Sequence, residues 1–383
     1  MKFILFSFFF LCTVPAQLNA LFVRVLLESA THKKWVIKNA EGMRVRDAFT
    51  KKEIPLKATF FEFDLSVEGK SLFVNKCQFD RMQMWIEPLG ESPCAVDGQQ
   101  YDGRLLIARV QDKWYLMSVL ELEDYVFSVL KTESWPGWPL EVQKVLAIAS
   151  RTYVLYQLLQ AREKKLMYHI RNSNHHQTYT GLHGCPVIRQ AVQETKGICL
   201  VYKGKPILAM FDCCCGGIIP SKAHGFADFS KAPYLKRDYP CTYCKDSKLY
   251  SWTASYTFEK MQQLIQENHD AIIHDIIDVT VHEHDPAGLV QKVALKTKKN
   301  KVMISAQRIY KSLKDVKSHC YSVAKKGKTV VFNGRGYGHH LGLCQWGARA
   351  MVDEGWGHAD ILLYYYPGTA FMQVEDASLS GQV

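Results

Sequence analysis

The sequence predicts an α+β fold, because strand patterns and helix patterns occupy different parts of the chain. Residues 21–120 contain short apolar and β-branched runs bounded by turn residues, of which 21–27 and 104–110 are clear examples. From Pro139 onward the apolar residues recur at helical spacing instead. The hydrophobic content of 48% and the aromatic content of 12% are typical of an ordered globular chain.

Residues 1–20 have the pattern of an export signal. Lys2 precedes an apolar core that is too short to span a bilayer comfortably, and Ala20 closes a stretch of small residues. A buried N-terminal strand is the alternative. No later stretch is apolar enough for a membrane span, so we expect an exported protein that contacts a membrane only if the leader is uncleaved.

The net charge limits the classes of partner. The formal charge is +11, and removal of residues 1–20, in which Lys2 is the single charged side chain, leaves +10. Inside a cell this charge would favour nucleic acid. For an exported protein an anionic wall polymer or a membrane surface is the better candidate, so no nucleic acid partner is expected. The basic run Lys296–Lys301 is predicted to be the solvated face of a hairpin.

Turn and helix signals define the next elements. Proline, glycine and Asp-Gly pairs crowd residues 88–103, which predicts a loop or a pair of tight turns. Glu123 and Asp124 stand where a helical segment begins, a position that acidic residues favour. A longer helix is predicted from Pro139, which suits a first turn, to about Lys165, with basic residues at its end. Its apolar positions are Val142, Val145, Leu146, Ala149, Tyr153 and Tyr156.

The cysteines leave their chemistry open. The chain has 12 cysteines, and 11 remain after loss of Cys12 with the leader, so at least one cannot pair within the chain. Cys241 and Cys244 have the spacing of metal ligands or of a redox pair, and Cys213–Cys215 adds thiols nearby. A zinc site needs four ligands, and an isolated Cys-x-x-Cys is a weak signal. We therefore expect disulfides or free thiols in preference to structural zinc, and assign no metal ligands.

Two motifs suggest a family. The first has three parts, LEDY at 122–125, ESWPGWP at 133–139 and ASRTY at 149–153, and the second is GRGYGHHLGLCQWGA at 334–348, followed by YYYPGT at 364–369. Together they resemble the SpoIID/LytB family, bacterial cell-wall proteins whose best-understood members are lytic transglycosylases that act on peptidoglycan. Segments 177–181, 191–197 and 201–207 fall in the family's order, so the resemblance covers most of the mature chain.

The resemblance implies a reaction and a catalytic residue. The enzyme would cleave the bond between N-acetylmuramic acid (MurNAc) and N-acetylglucosamine (GlcNAc), and the muramyl C6 hydroxyl would close a 1,6-anhydro ring. Glu133 matches the family's catalytic glutamate, which protonates the leaving oxygen and then accepts the C6 hydroxyl proton. One carboxyl suffices, whereas ordinary glycosidases need two. Neighbouring Trp135, Pro136, Trp138 and Pro139 would exclude water and raise the pKa of Glu133. A helix cap or a solvated turn is the alternative role for Glu133.

The same resemblance implies substrate contacts. The residues concerned are Arg151, Gln177, Tyr179, Tyr337, His339, Gln345 and Trp346. For Arg151 the alternatives are pairing with a carboxylate and an ordinary surface salt bridge. The glycines of 334–347 would let the backbone approach a polysaccharide, although a tightly packed turn explains them too. Their spacing matches neither nucleotide-binding fingerprint. Tyr364–Tyr366 are predicted to end a packed helix rather than line the site.

Residues 211–217 depart from the family pattern. The family usually places hydroxyl and histidine side chains before Cys-Gly-Gly, where this chain has Asp212, Cys213 and Cys214. Some members bind zinc through cysteine and histidine near the segment that here contains His169 and His176, but this chain has histidines where cysteines are expected. No cofactor is required for the implied reaction.

The predicted organisation is a signal peptide (1–20), a strand-rich part (21–120), a catalytic part (121–372) and a tail (373–383). The strand-rich part, the helical segment and the glycine-rich motif would surround a glycan-binding groove. The predicted location is periplasmic or at the cell envelope, with peptidoglycan strands, stripped of stem peptides in some members, as substrate and an amidase as partner. Two alternatives remain: a non-catalytic peptidoglycan-binding protein that enhances an amidase, and a zinc amidase built on His169, His175, His176 or the cysteines.

Overall fold

The computed structural model describes residues 21–54, 60–79, 81–173, 176–267 and 273–374. The predicted signal peptide and nearly all of the predicted tail lie outside these ranges. The predicted α+β class is confirmed, with a strand-rich N-terminal part followed by helices and smaller sheets. Within the described ranges, no helix is long and apolar enough to cross a membrane.

The N-terminal part forms one large, mainly antiparallel sheet. Its strands are β1 (Phe22–Ala30), β2 (His32–Asp47), β3 (Phe60–Glu68), β4 (Ser71–Val74), β5 (Cys77–Phe79), β6 (Gln83–Pro88), β7 (Cys94–Val96), β8 (Gln99–Tyr101), β9 (Arg104–Val110) and β10 (Lys113–Glu121). The order across the sheet is β1-β10-β9-β6-β2-β3-β4-β5, with β7 and β8 beside β2. The predicted strand 104–110 coincides with β9, and 21–27 lies within β1 apart from its first residue.

The breaker-rich segment 88–103 contains both tight turns and two short strands. Asp97 and Gly98, with φ of 49° and 86°, form the two-residue connection between β7 and β8. Gly103 has φ of 75°, and a Cβ there would lie 2.3 Å from the carbonyl oxygen of Val119. The prediction of tight turns is therefore confirmed, but the two strands were not predicted.

Three helices follow β10: α1 (Leu122–Glu133), α2 (Leu140–Glu163) and α3 (Pro186–Glu194). Between α2 and α3, the short strand β11 (Ile170–Arg171) pairs in parallel with β1. The predicted long helix is α2, although Pro139 precedes it as the N-cap rather than occupying its first turn. Glu123 and Asp124 occupy the first turn of α1, as predicted. Helix α2 is buried along most of its length because it packs between α1 and α3.

The C-terminal elements return to the same core. They are β12 (Ile198–Tyr202), β13 (Lys205–Pro206), β14 (Phe211–Asp212) and two short 3₁₀ turns at Pro220–Lys222 and Pro233–Leu235, and later β21 (Leu343–Cys344), α6 (Gln345–Asp353), α7 (His358–Tyr365) and β22 (Ala370–Gln373). Strand β14 pairs in parallel with β21, which places residues 211–215 beside the glycine-rich motif. Helix α7 ends at Tyr365, which is buried with Tyr366, so the predicted helix end is confirmed.

A second hydrophobic core lies between β14 and β21 in the chain. Its elements are β15 (Ser251–Thr257), α4 (Phe258–Glu267), β16 (Ile276–His284), β17 (Val290–Thr297), β18 (Lys301–Ser305), α5 (Ala306–Ser312), β19 (Tyr321–Lys326) and β20 (Thr329–Arg335). They form two three-stranded sheets around apolar residues such as Met261, Leu295 and Phe332. We call residues 251–335 the inserted unit. It was not predicted, whereas the exposed Lys296–Lys301 turn between β17 and β18 confirms the predicted hairpin.

Candidate functional site

Glu133 is the last residue of α1, not part of the turn that follows it as the sequence suggested. The backbone N–H and the side-chain hydroxyl of Ser134 both donate to the carbonyl oxygen of Leu130, at 3.1 and 2.5 Å, and end the helix. Gln143 of α2 donates to the carbonyl oxygen of Trp135 at 2.7 Å and holds the turn from the other side. The carboxyl group of Glu133 therefore projects from a rigid helix end.

A cavity of about 630 Å³ lies in front of this carboxyl group. Five separate parts of the chain line it: the end of α1, the middle of α2, residues 176–178, residues 208–213 with Phe226, and the glycine-rich motif. We call it the groove. The polar and aromatic residues that line it are Thr132, Glu133, Tyr153, His176, Gln177, Thr178, Phe211, Asp212, Phe226, Tyr337 and His339. Of the predicted site residues, the structure thus brings Glu133, Gln177, Tyr337 and His339 together.

The surroundings of Glu133 favour its protonated form. Burial raises the pKa of its carboxyl group above the ordinary value, and the backbone N–H of Thr178, which donates to Oε1 at 2.6 Å, opposes that rise. The hydroxyl of Thr132 in turn donates to the carbonyl oxygen of Thr178 at 2.5 Å, so α1 and this loop are linked twice. Within the part of the chain that the structure describes, no cation forms an ion pair with Glu133. The group is held like a general acid rather than like an ion-paired carboxylate.

Gln345 links the two motifs but does not line the groove. Its side-chain amide donates to the backbone carbonyl oxygen of Glu133 at 2.7 Å, and its side chain is almost fully buried. The contact fixes the main chain of the residue that carries the acid. We therefore assign Gln345 a positioning contact to Glu133 in place of the predicted substrate contact.

Trp346 belongs to an aromatic cluster beside the end of α1. Its ring packs edge to face on Trp138, with centroids 5.3 Å apart, and on Trp135 at 6.3 Å. Trp135 also stacks on Trp138 at 6.0 Å, and 40% of its surface is exposed. An exposed flat ring two residues after Glu133 in the chain suits the apolar face of a sugar. In this cluster Trp135, rather than Trp346, presents the accessible ring.

Gln177 and Tyr179 have different positions although they are close in sequence. The side-chain oxygen of Gln177 accepts from the hydroxyl of Tyr125 at 2.8 Å, while its amide nitrogen has no partner within the described residues. Gln177 lines the groove, but this nitrogen is itself buried. Tyr179 is fully buried, shares a hydrogen bond of 3.3 Å with Ser118, and stacks on Tyr125 at 6.0 Å. It packs behind the groove and is not among the residues that line it.

Arg151 is fully buried and lies outside the groove. Its guanidinium donates to both carboxylate oxygens of Glu123, at 2.9 and 2.6 Å, and to the carbonyl oxygen of Ile198 at 3.1 Å. Of the alternatives that the sequence left open, pairing with a carboxylate describes this geometry. The pair is not an ordinary surface salt bridge, because the side chain of Arg151 is fully buried. The arginine links α2 to α1 and to β12, and it is not among the residues that line the groove.

The glycine-rich motif contributes Tyr337 and His339 to the groove. Tyr337 is 36% exposed and lies with its ring 5.5 Å from the ammonium group of Lys317. His339 accepts at Nδ1 from the backbone N–H of Leu341 and donates from Nε2 to the carbonyl oxygen of Phe211, at 3.1 and 3.0 Å. Burial lowers its pKa to about 4, so the ring is neutral at physiological pH. With both nitrogens bonded, His339 is part of the wall, and Tyr337 is the more accessible side chain.

Asp212 is a groove residue that was not among the predicted site residues. Its Oδ2 accepts from the backbone N–H of His340 at 2.7 Å, and Oδ1 has no partner within the described residues. Burial raises the pKa of this carboxyl group well above its ordinary range. The sequence marked Asp212 as a departure from the family pattern. Its place in the groove follows from the β14–β21 pairing, which no local pattern indicates.

The histidines that were considered as zinc ligands do not form a site among the described residues. His169 is buried, and its Nδ1 accepts from the backbone N–H of Arg24 at 3.1 Å. Burial lowers its pKa to about 3. His175 lies outside the described ranges. In those ranges a single group of three or more metal-binding side chains lies close together, Cys215, Cys241, Cys244 and Cys344.

Comparison with known proteins gives two family matches. Residues 110–202, which contain Glu133, Arg151, Gln177 and Tyr179, match the family model SpoIID, described as "Stage II sporulation protein". Residues 235–342, which contain the inserted unit, match a model described as "Domain of unknown function (DUF8618)".

Individual relatives span much of the chain. An uncharacterized protein of Brachyspira hyodysenteriae is 29% identical over 282 residues, which are 71% of this chain and 72% of the relative. Stage II sporulation protein D of Bacillus subtilis is 24% identical, over 67% of this chain and 76% of the relative. The amidase enhancer of Bacillus subtilis is 26% identical over 63% of this chain, but the match covers only 39% of that protein.

Proposed function

Because this chain belongs to the SpoIID family, we propose that it is a peptidoglycan lytic transglycosylase that cleaves the MurNAc–GlcNAc bond and leaves 1,6-anhydroMurNAc ends. The observation that carries the proposal is the carboxyl group of Glu133. It projects into the groove from a helix end, burial raises its pKa, and within the described residues it has no ion-pair partner. These are the requirements for a side chain that must hold a proton until substrate arrives.

One carboxyl group then performs both proton transfers. Protonated Glu133 donates its proton to the glycosidic oxygen as the bond from that oxygen to the muramyl C1 breaks. The C6 hydroxyl of the same muramyl ring attacks C1, and the Glu133 carboxylate accepts the hydroxyl proton, so the enzyme ends in its starting state. The backbone N–H of Thr178, 2.6 Å from Oε1, stabilises the carboxylate that exists between the two steps.

Asp212 is poorly suited to be the base that a hydrolase would need. An inverting or retaining glycosidase requires a second carboxylate that is ionised as base or nucleophile. Burial raises the pKa of Asp212 well above its ordinary range, which favours its neutral form. A neutral Asp212 can donate a hydrogen bond to a sugar, but it cannot activate water. This favours an intramolecular attack by the substrate over hydrolysis.

The groove offers polar and aromatic contacts to a glycan strand. Gln177 and Tyr337 line the groove, and Tyr337 presents a partly exposed ring there. Trp135, two residues after the acid in the chain, presents a second exposed ring. We infer that these three residues, together with Glu133, contact the substrate. We further propose that the protein is exported to the cell envelope, where this substrate lies. Its substrate would be glycan strands from which an amidase has removed the stem peptides.

The attacking oxygen distinguishes this function from hydrolysis. Isolated peptidoglycan is digested with the purified protein in heavy-oxygen water, and the muramyl ends are analysed by mass spectrometry. Transglycosylation gives unlabelled ends that are lighter by one water than hydrolytic ends. Labelled reducing muramyl ends would contradict the proposal.

The amidase enhancer relative supports a second candidate, a glycan-binding protein without catalytic activity that stimulates an amidase. The same digestion separates the two. A pure enhancer releases no anhydro ends alone, yet it increases the release of stem peptides when an amidase is added.

A further inference from the structure

Four buried cysteines converge beside the groove wall. The sulfur atoms of Cys215, Cys241, Cys244 and Cys344 all lie within 4.8 Å of one another, and no more than 2% of any of these residues is exposed. The sulfur atoms of Cys215 and Cys244 are 3.7 Å apart. Four thiolates at about 2.3 Å from a central zinc ion are about 3.8 Å apart at the corners of a tetrahedron. The spacing of the side chains therefore fits a tetrahedral metal site.

The surroundings of the sulfur atoms fit thiolate ligands. The backbone N–H groups of Cys215 and Gly347 each donate to the sulfur of Cys344 at 3.3 Å. Cys344 is the N-cap of α6, where the helix dipole favours a negative charge. The hydroxyl of Tyr365 lies 3.1 Å from the sulfur of Cys241. Hydrogen bonds from an outer shell of this kind orient metal ligands and stabilise their charge.

Gly347 is the residue that allows this close approach. A Cβ at position 347 would lie 2.8 Å from the sulfur of Cys241 and would overlap the hydroxyl of Tyr365. The first turn of α6 can therefore approach the Cys241–Cys244 loop only because it carries a glycine there.

A buried positive charge next to the cluster provides an independent argument. The guanidinium of Arg237 is 99% buried, stacks 5.4 Å from the ring centroid of Tyr365, and has no ion pair with a carboxylate within the described residues. One of its nitrogens donates to the carbonyl oxygen of Tyr239 at 2.5 Å, while Nε and Nη2 have no partner there. A buried, unpaired cation is costly. Four thiolates around a divalent ion carry a net charge of −2, which would offset it.

We propose that Cys215, Cys241, Cys244 and Cys344 bind one structural zinc ion. Four protein ligands leave no open position, so the site stabilises the fold and takes no part in catalysis. Soft thiolates at tetrahedral geometry select zinc or iron, and we assign zinc. The inference is independent of the activity proposed above.

The zinc site would hold the groove wall in place. Its ligands come from three segments: residues 213–215 after β14, the loop 241–244 before the inserted unit, and Cys344 at the junction of β21 and α6. The ion would thus hold together the β14–β21 pair, which carries Asp212, and the start of α6, where Gln345 contacts the main chain of Glu133. Loss of the ion would loosen the position of Asp212 and that of Gln345.

The test begins with the unaltered protein, so that it does not depend on whether a variant folds. The protein is purified under reducing conditions, its metal content is measured by elemental analysis, and metal-free protein is titrated with Co²⁺ alone and then with Zn²⁺. We expect one zinc per chain, strong thiolate-to-cobalt charge-transfer bands with tetrahedral d–d bands at one equivalent of Co²⁺, and loss of these bands when Zn²⁺ displaces cobalt. Removal of zinc with a chelator should lower Tm.

Variants then identify the ligands. Cys241→Ser and Cys344→Ser should each reduce bound zinc at least tenfold at a fixed competing chelator concentration. Cys94→Ser, a buried cysteine of β7 outside the cluster, should retain full zinc content. Cluster cysteines that pair as disulfides, bound iron in place of zinc, an octahedral cobalt spectrum or free thiols that bind no Zn²⁺ would each overturn the assignment. None of these measurements requires release of anhydro ends, so failure of this inference and failure of the proposed function are distinguishable.

Discussion

Replacement of Glu133 by glutamine tests the catalytic assignment most directly. The amide keeps the shape of the side chain, and its oxygen can still accept the hydrogen bond that Thr178 donates to Oε1 at 2.6 Å. It cannot donate a proton to the glycosidic oxygen. General acid–base catalysis contributes about 10²–10⁴ in rate. We therefore expect Glu133→Gln to lower the rate of anhydro-end release by that factor, equivalent to about 3–5 kcal/mol of activation free energy.

The same variant should be no less stable than the parent protein. Because burial raises the pKa of Glu133 above its ordinary value of 4.5, the folded state binds the proton more tightly than the unfolded state. Stability from this group is fully present below pH 4.5 and declines as the pH rises through the raised pKa. The amide does not ionise, so the difference in Tm between Glu133→Gln and the parent should grow in favour of the variant across that range.

The assay combines both readouts and a matched control. Anhydro ends are counted by mass spectrometry, glycan binding is measured by co-sedimentation with peptidoglycan, and Tm is followed from pH 4 to 8. Glu141→Gln serves as control, because Glu141 is a nearby carboxylate of α2 that pairs with His358 and lies outside the groove. Release of anhydro ends by Glu133→Gln at a rate close to that of the control would refute the catalytic role. If the Tm of Glu133→Gln fell relative to that of the parent protein as the pH rises, the electrostatic reasoning would be refuted.

Three further substitutions examine the contacts around the acid. Arg151→Met removes the arginine that pairs with the carboxylate of Glu123 and should lower the free energy of unfolding by about 3–5 kcal/mol. Urea denaturation measures this value, and an unchanged value would show that the pair does not stabilise the fold. Gln345→Ala should lower kcat with little change in KM, because it frees the main chain of Glu133 and touches no substrate; a selective rise in KM would restore the predicted substrate contact. Trp135→Ala should raise KM roughly fivefold, since about 1 kcal/mol of stacking is lost, and equal binding of glycan by this variant would argue against the exposed ring as a subsite.

Local patterns predicted what depends on neighbouring residues in the sequence. The strand 104–110 and the helix α2 follow from a change in hydrophobic period, and the sharp turn at Asp97-Gly98 follows from the conformations that those residues favour. Glu133 was identified through a motif, and the structure adds the burial and the Thr178 contact that explain its raised pKa. The signal peptide stays a prediction.

Contacts between distant segments could not be predicted in this way. The Cys-x-x-Cys spacing at 241–244 gave a weak metal signal because its partners, Cys215 and Cys344, are 129 residues apart. Arg151 was assigned to substrate because a sequence does not show that its partner Glu123 faces it across two helices. The inserted unit was missed for a related reason, since no glycine- or serine-rich linker sets it apart from the rest of the chain.

The glycines of the C-terminal motif now have a physical explanation that differs from direct contact with a glycan. Gly338 has φ of 133°, and a Cβ there would overlap the side chain of Asp212, while a Cβ at Gly347 would press on the sulfur of Cys241. Both glycines therefore allow the motif to pack against residues 212–215 and 241–244. That packing builds the groove wall and brings Gln345 to the carbonyl oxygen of Glu133. The motif thus closes the groove around Glu133. The tightly packed turn, which the sequence left as an alternative, describes these two glycines better than a backbone opened to polysaccharide.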